Sequence, residues 1–280
     1  MVLDKMKTSN LNINTDLARK ILTGFIRSEL NRVGFSKAVI GLSGGIDSAL
    51  SLALTAEAIG SENVLAVRMP YKASSQDSLD HAQLCIEKFG VQSLTIPITE
   101  MVDPLIALDP EMSKTRKGNI MARCRMIVLY DQSEAFGGLV IGTSNKTEIL
   151  LGYSTIFGDS ASALNPIGDL YKTQVRQLSR ALGVPNQIID KPPSADLWAN
   201  QTDENELGFT YADVDKLFYL LIDQRYRVQE CVEAGFDEAF VKAVVKRVRQ
   251  NQFKRMMPPI AKVSNRTIGY DFLYLRDWGT

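Results

Sequence analysis

Histidine and cysteine are scarce in this chain of 280 residues, which contains one histidine and three cysteines. Cys85, Cys124 and Cys231 lie far apart and are odd in number, so the sequence offers neither a disulfide framework nor a zinc-binding spacing. We therefore expect a reducing compartment, the cytoplasm. A single histidine, His81, excludes most Ser-His-Asp, Cys-His and histidine-metal mechanisms. His81 lies off the apolar face of a helical pattern, and we expect its side chain to be solvated at the surface.

The sequence also lacks an excess of charge and a long apolar run. Lys+Arg and Asp+Glu number 32 each, so the formal net charge is zero, which argues against a broad surface for nucleic acid. No stretch approaches the roughly 18 apolar residues of a membrane span, and the first residues lack the apolar run of a signal peptide. We expect neither nucleic acid nor a membrane as a partner.

What is present is a regular alternation of apolar segments and helical patterns. Four short apolar segments predict strands: AVIGLS, NVLAVRMP, QSLTIPI and GLVIGTS. Helical patterns precede and separate them, and the first helix has Thr15 as its predicted N-cap. This order predicts an α/β fold, a doubly wound parallel sheet with helices on both faces. After about residue 150 we expect two long polar loops, GYSTIFGDSASALNPIGDLYKT and KPPSADLWANQTDENELG, with helices between and after them.

The segment SGGIDS, residues 43–48, joins the first predicted strand to a helix. Its glycines let the backbone approach a ligand, and amides at a helix start bind anionic oxygens. The chain contains neither the GK[ST] of a Walker A loop nor a GxGxxG fingerprint. The alternative is a tight turn capped by Ser43 or Asp47. Because ligands bind beyond the carboxyl ends of parallel strands, SGGIDS and GTSNKTE are expected to share one site.

The longer segment GLSGGIDSAL resembles the signature of the N-type ATP pyrophosphatases, or PP-loop enzymes, which cleave ATP between the α and β phosphates. This resemblance explains the acid in the loop. Asp47 would meet phosphate through Mg²⁺, which is usually held by one or two carboxylates plus substrate phosphates. The metal reverses the local electrostatic sign.

Further motifs occur in a fixed order: MPYKASSQDSLDHA, KGNIMARCRM, IGTSNKTEILLGY, GDSASALNPIGDLYKTQVRQL, KPPSADLW, QTDENELG and NQFKRMMPP. Together they resemble the NAD synthetase family from about residue 15 to 260. The resemblance implies an adenine nucleotide alpha hydrolase-like fold in a single domain, residues 1–280. Its nucleotide-binding core would span about 15–200, and a C-terminal helical region and tail about 201–280. It also implies a ligase that amidates deamido-NAD with ATP and ammonia through an acyl-adenylate, releasing AMP and pyrophosphate.

The same resemblance implies roles for individual residues. Asp47 and Glu148 would hold Mg²⁺, Glu148 together with Arg123 and Lys254 would serve the deamido-NAD side, and Asp47, Lys172 and Asp159 would be catalytic, with Asp159 as the candidate that deprotonates ammonium. The residues assigned to ATP are Gly41, Leu42, Ser43, Gly44, Gly45, Ile46, Asp47, Ser48, Thr143, Lys172 and Ser194. Lys172 lies in the first turn of a predicted helix, where the dipole disfavours a cation and a phosphate partner would explain it.

Three positions depart from the family pattern. Ile156 and Ala163 stand where many bacterial members have a lysine and an aspartate for deamido-NAD, and Phe253 replaces a common histidine. These departures concern nicotinate-side recognition and leave the reaction class unchanged.

Family resemblance also implies a homodimer with the dinucleotide near the subunit interface.

The synthetase pattern begins near residue 15, which leaves no room before it for an amidase domain, so free ammonia is the expected donor. A synthetase subunit fed by a separate glutaminase, a tRNA-modifying PP-loop enzyme and a nucleotide-binding protein without turnover are the alternatives. The last predicts loss of the metal acids or of Lys172, all of which are present.

Overall fold

A computed structural model describes residues 11–194, 196–198 and 202–272. Within them, the strands are β1 (Ala38–Gly41), β2 (Val64–Arg68), β3 (Gln92–Thr95) and β4 (Leu139–Ile141). These four strands form a parallel sheet in the order β3-β2-β1-β4. The central strand β1 places Val39 opposite Leu65 of β2 and Val140 of β4. The predicted parallel α/β fold is confirmed.

Helices cover both faces of this sheet because its central strands, β1 and β2, are apolar and buried on both sides. Ala38 and Ile40 pack into one buried cluster, together with the helices that begin at Thr15, Ile46, Gln76, Lys172 and Asn186. Val39 packs into a second cluster, with the helices that begin at Thr99 and Lys114. This alternation is the period-two geometry of a strand. The helices are α1 (Thr15–Arg32), α2 (Ile46–Ile59), α3 (Gln76–Phe89), α4 (Thr99–Ala107), α5 (Lys114–Phe136), α6 (Lys146–Leu151), α7 (Lys172–Ala181), α8 (Asn186–Ile189), α9 (Asp203–Leu207), α10 (Tyr211–Phe218), α11 (Val228–Glu233) and α12 (Glu238–Gln250).

A third buried cluster joins the C-terminal helices to the sheet region. It combines Val214 and Phe218 of α10 with Val241 of α12, and also includes Leu151 of α6 and Tyr171 just before α7. A π-helical turn, Tyr219–Asp223, continues α10. The C-terminal helices therefore pack directly against the two helices that follow β4.

Two local predictions were wrong, and one helix was not predicted. Asn14, not Thr15, caps α1, because the Asn14 side chain accepts a hydrogen bond from Leu17 N at 3.0 Å. The second predicted loop contains the short helix α9, and α4 had no prediction at all. Helix α4 carries Pro104 inside it and has no side-chain cap at Ile98, so it lacks the usual start signal. Residues 195 and 199–201 of the predicted loop, and residues 1–10 and 273–280 of the predicted domain, lie outside the described residues.

The expectation for His81 also needs correction. The side chain is partly buried, and its Nδ1 has no hydrogen-bond partner in the described part of the chain. Burial, followed by the nearby positive charge of Lys191, lowers the pKa of His81. Lys191 is held near His81 by a hydrogen bond that its Nζ donates to Ser78 Oγ at 2.9 Å.

Among the described residues, no helix combines the length and apolarity needed to cross a membrane.

Candidate active site

The loop between β1 and α2 is held in a conformation that requires glycine. Gly44 has φ +79°, and a Cβ added there would lie 2.1 Å from the carbonyl oxygen of Ser78. Within the loop, Gly45 N donates to Ser43 Oγ at 3.3 Å, and Ser48 Oγ donates to Gly45 O at 2.9 Å. Gly45 occupies the N-cap position of α2 without a side-chain cap. The interpretation as a turn capped by Ser43 or Asp47 is therefore not supported.

Two carboxylates and one buried lysine meet at the end of this loop. Lys172 Nζ lies 2.5 Å from Asp47 Oδ2 and 2.8 Å from Glu148 Oε1. Asn145 links the two loops directly, since its Nδ2 donates to Asp47 Oδ1 at 2.8 Å. SGGIDS and GTSNKTE are thus in direct contact, as expected for segments at the carboxyl ends of neighbouring strands.

Local helix geometry explains why these three side chains converge. Asp47 lies in the first turn of α2, Glu148 in the first turn of α6 and Lys172 in the first turn of α7. Asn145 caps α6 by accepting from Glu148 N at 3.0 Å, which fixes the start of that helix. Three helix N-termini thus point at one place beyond the carboxyl end of β1.

Burial and charge act in opposite directions within this cluster. Burial, followed by the charge of Asp47, raises the pKa of Glu148 to about 7, although Lys172 opposes the shift. Burial alone would lower the pKa of Lys172, but the two carboxylates raise it well above its usual value. Lys172, 3% exposed, therefore stays charged, and it neutralises part of the negative charge of the pair.

The pair of acids has the donor chemistry of a magnesium site that the phosphates of a nucleotide would complete. Carboxylate oxygens are the ligands Mg²⁺ prefers, usually one or two of them with substrate phosphates completing the shell. Among the described residues, no group of three or more His, Cys, Asp or Glu side chains is arranged to hold a metal. A cation, the ammonium of Lys172, already lies between Asp47 and Glu148. The donor set thus suits a cation that also bonds to phosphate.

A cavity of about 590 Å³ opens around this cluster. It includes most of the predicted site, namely Gly41, Leu42, Ser43, Gly45, Ile46, Asp47, Ser48, Thr143, Glu148, Asp159, Lys172, Ser194 and Lys254. Gly44 does not line the cavity, because it turns against the backbone of Ser78. The cavity is large enough for a nucleotide-sized ligand.

Contacts along the cavity wall hold several of these residues in place. Lys254 Nζ donates to the carbonyl oxygens of Gly152 and Ser154, both at 2.7 Å. Asp159 Oδ1 accepts from Thr155 N at 2.7 Å. Such backbone contacts leave the charges of both side chains available to a ligand.

Arg123, unlike most of the other predicted site residues, lies outside the cavity. Its side chain is exposed, does not line the cavity, and donates from Nε to Ile156 O at 3.3 Å. Arg125 does line the cavity, with its Nε donating to Met69 O at 3.1 Å, and burial lowers its pKa. Helical geometry separates residues i and i+2 by about 200°, so the two arginines face opposite ways.

Sequence reasoning also missed other charged residues of the cavity, among them Asp203 and Arg247. Asp203 is buried and accepts hydrogen bonds from Tyr153 at 3.1 Å and Tyr211 at 3.2 Å. Its place in the QTDENELG motif was an available signal. The Tyr211 ring also lies 5.1 Å from Lys172 Nζ, so it forms one wall of the acid-lysine cluster. The sequence signal for Arg125 was its spacing of four residues from Met121 and three from Val128, which places it near the buried face of α5.

A parallel sheet whose central strand ends in a glycine-rich loop, beside two acids and a buried lysine, defines a nucleotide-binding α/β protein. Comparison with known proteins narrows this class. A family model described as NAD synthase matches residues 18–258. The chain therefore belongs to the NAD synthase family.

Individual relatives agree with this assignment. A protein of Trichlorobacter lovleyi described as NH(3)-dependent NAD(+) synthetase is 58% identical over 97% of this chain and 99% of its own length. One of Chlorobaculum tepidum with the same description is 54% identical over 98% and 99%.

Solved structures show the same fold. The NH3-dependent NAD synthetase from Campylobacter jejuni is 31% identical, with a TM-score of 0.76 over 90% of this chain and 100% of that one. A structure described as NMN synthetase from Francisella tularensis is 30% identical, with a TM-score of 0.79 over 89% and 99%. A glutamine-dependent NAD+ synthetase from Acinetobacter baumannii is 29% identical, with a TM-score of 0.66, and this chain covers 49% of it.

Proposed function

We propose that the protein catalyses the ATP-dependent amidation of deamido-NAD (nicotinic acid adenine dinucleotide) to NAD, with ammonia as the nitrogen donor and with release of AMP and pyrophosphate. The observation that carries this proposal is the meeting of Asp47, Glu148 and Lys172 at the end of a phosphate loop inside one cavity. The relatives described as NH(3)-dependent NAD(+) synthetase support the choice of substrates.

The chemistry requires activation because a free carboxylate has no leaving group that ammonia can displace. In the first step, the nicotinate carboxylate oxygen bonds to the α phosphorus of ATP, and the bond from that phosphorus to the bridging oxygen of pyrophosphate breaks. In the second step, ammonia bonds to the carbonyl carbon of the acyl-adenylate, and AMP leaves with the former carboxylate oxygen. The nitrogen loses one proton to give the neutral amide.

The residues of the chain stabilise the charge that develops on the phosphates. Backbone N–H groups of residues 43–48 and the Lys172 ammonium would contact the departing pyrophosphate. Asp47 and Glu148 would hold Mg²⁺, which when bound supplies positive charge against the phosphate oxygens. Lys172 contacts both carboxylates here, so it can move from them to a phosphate without leaving the cluster.

Proton removal needs a base on the cavity wall. Asp159 lies there, and its partial removal from solvent raises its pKa, which makes its carboxylate a better proton acceptor. We assign it the role of accepting the proton from ammonium or from the attacking nitrogen. No nucleophilic side chain is required, which agrees with a sequence that has one histidine.

Ammonia is the proposed direct donor. The chain covers 99% of the length of two relatives described as NH(3)-dependent, but 49% of one described as glutamine-dependent. The alternative of a subunit supplied by a separate glutaminase predicts the same chemistry at this site. It differs only in the source of the ammonia that reaches the cavity.

We further propose a homodimer formed through the exposed face of α5. Arg123, Ile127 and Tyr130 are spaced i, i+4 and i+7, so they lie on one helix face, and Ile127 is 54% exposed. Phe157, also exposed, lies close to this face, since Arg123 bonds to the adjacent Ile156 carbonyl. If the dinucleotide extends to the subunit interface, Arg123 can contact it there although it is absent from the cavity of one chain.

Product analysis tests the proposal. The purified protein with ATP, Mg²⁺, deamido-NAD and ammonium should form NAD, AMP and pyrophosphate in equal amounts, and glutamine alone should give little NAD. Nicotinic acid mononucleotide serves as the competing substrate, because one structural neighbour is described as an NMN synthetase. Preference for the mononucleotide, or AMP release that depends on tRNA, would replace this function with another.

A further inference from the structure

Asp215 is a fully buried carboxylate in the middle of α10, outside the cavity. Its side chain contacts two other helices, one with each oxygen. Oδ1 accepts from the Thr147 hydroxyl of α6 at 2.5 Å, and Oδ2 accepts from the Thr173 amide of α7 at 2.8 Å. The relative exposure of Asp215 is 0%.

The Thr147 hydroxyl links Asp215 to Lys172 through two hydrogen bonds, and the donor of each is determined by the groups involved. Lys172 N lies 3.0 Å from Thr147 Oγ1. A backbone N–H can only donate, so the hydroxyl oxygen accepts from Lys172, and its own proton goes to Asp215. The hydroxyl thus donates once and accepts once in a single arrangement.

Each contact of Asp215 is one residue from a member of the acid-lysine cluster. Thr147 precedes Glu148 on α6, and Thr173 follows Lys172 on α7. The carboxylate therefore bridges the first turns of α6 and α7. Those first turns carry Glu148 and Lys172, whose Oε1 and Nζ lie 2.8 Å apart.

Joining two helices through a buried carboxylate carries the free-energy cost of removing a charged group from water. Burial, the largest effect on this group, raises the pKa of Asp215, while the hydrogen bonds from Thr147 and Thr173 oppose the shift. Among the described residues Asp215 forms no ion pair, but the charge of Lys172 also opposes the rise in its pKa. Apolar residues of similar volume often stabilise a buried position better than a charged group does. Its two contacts are directional, whereas apolar packing between the same helices would not be.

We propose that Asp215 is a positioning residue that acts through Thr147 and holds Glu148 and Lys172 at the separation needed for the ATP-dependent step. This inference rests on the proposed function of the cluster, but the geometry itself does not involve any substrate. The competing explanation is that Asp215 only stabilises the packing of α10 on α6 and α7.

Substitutions at Thr147 separate the two explanations. Thr147→Val keeps the shape but removes the hydroxyl, whereas Thr147→Ser keeps the hydroxyl. We expect Thr147→Val and Asp215→Asn each to lower kcat at least tenfold at saturating substrates, at a temperature where both are fully folded. Thr147→Ser should stay within about twofold of the unaltered protein, and the double variant should be no worse than Asp215→Asn alone.

A core substitution supplies the control for stability. Val214 is the neighbour of Asp215 on α10 and is also fully buried, but it belongs to the apolar cluster. Val214→Ala should lower Tm while leaving kcat near its original value. If Asp215→Asn and Thr147→Val behave like Val214→Ala, with lower Tm and unchanged kcat, the positioning role is overturned.

A binding measurement keeps this inference separate from the proposed reaction. Isothermal titration of ATP with Mg²⁺ should show affinity weakened about tenfold in Thr147→Val and little changed in Thr147→Ser. If the unaltered protein binds ATP but forms no NAD, the proposed reaction fails, and the contrast between the two Thr147 variants still decides the positioning role. Equal affinities in Thr147→Val and Thr147→Ser would contradict that role.

Discussion

Lys172 Nζ contacts Asp47 Oδ2 at 2.5 Å across 125 residues of sequence. This contact joins the first turn of α2, at the end of the phosphate loop, to the first turn of α7. It places a permanent cation beside the acid of the phosphate loop. The presence of that acid is explained if a second cation, Mg²⁺, joins Asp47 to the phosphates of ATP.

Substitution of Asp47 by asparagine tests this explanation. Asp47→Asn keeps the shape and the acceptor oxygen for Asn145 but removes one negative charge. Turnover that depends on Mg²⁺ should fall by orders of magnitude, because charge stabilisation by a metal contributes several kcal/mol. Amide formation is measured against Mg²⁺ concentration, with a thermal melt as the folding control. Unchanged turnover at low Mg²⁺ in a folded variant would refute the metal role.

The pH dependence of stability should report on Glu148. Its pKa is raised from the ordinary 4.5 to about 7, so between these values the folded protein holds a proton that the unfolded chain has lost. The free energy of unfolding should therefore decrease as pH rises from about 4.5 to 7, by an amount on the order of 1–3 kcal/mol from this group.

The comparison with Glu148→Gln isolates this contribution. The variant cannot titrate at position 148, so its stability should fall less than that of the unaltered protein between pH 5 and pH 8. Urea unfolding at both pH values in the presence of a chelator provides the measurement. Parallel pH profiles for the two proteins would show that Glu148 has an ordinary pKa.

Loss of the positive charge of Lys254 or Arg123 should weaken the binding of deamido-NAD more than the binding of ATP. Lys254→Ala and Arg123→Ala should raise the KM for deamido-NAD much more than the KM for ATP. Loss of a charge-assisted hydrogen bond costs about 1.5–3 kcal/mol, or roughly tenfold to a hundredfold in affinity. Arg249→Ala, on an exposed part of α12, is the control. Equal increases in both KM values would place the two residues in folding or assembly.

The proposed dimer face can be tested against another exposed apolar face. Ile127 on α5 and Ile21 on α1 are exposed to similar extents, 54% and 58%. Ile127→Glu should convert a dimer to a monomer in light scattering, because a charge would be buried at the interface, while Ile21→Glu should remain dimeric. Dissociation by Ile21→Glu alone would assign the interface to α1.

The parallel sheet and the proximity of Asp47 to Glu148 could both be predicted from the sequence. The sheet follows from the apolar strands, and the proximity follows because the carboxyl ends of parallel strands lie at one edge of the sheet. The sequence was insufficient for helix α4, whose start at Ile98 has no capping side chain. The paired contacts of Lys172 also escaped prediction. A lysine in a first turn suggests an anion, but its partners depend on how α6 and α7 pack.

The positions of Arg123 and Arg125 show a related limit. Both belong to one helix, and the family resemblance pointed to Arg123, which the structure places outside the cavity. Arg125 was identifiable from its spacing relative to buried Met121 and Val128, since residues three and four apart share a face. Periodicity gives the face of the helix, whereas a role at an interface requires the arrangement of two chains.

Oxygen transfer from substrate to AMP tests the central claim most directly. If the carboxylate of deamido-NAD attacks the α phosphorus of ATP, a substrate labelled with ¹⁸O in that carboxylate should give AMP with one ¹⁸O atom in its phosphate for each NAD formed. Mass spectrometry of the AMP provides the measurement, with labelled water in place of labelled substrate as the control. AMP that carries no label from the substrate, or that takes its oxygen from water, would contradict the acyl-adenylate mechanism.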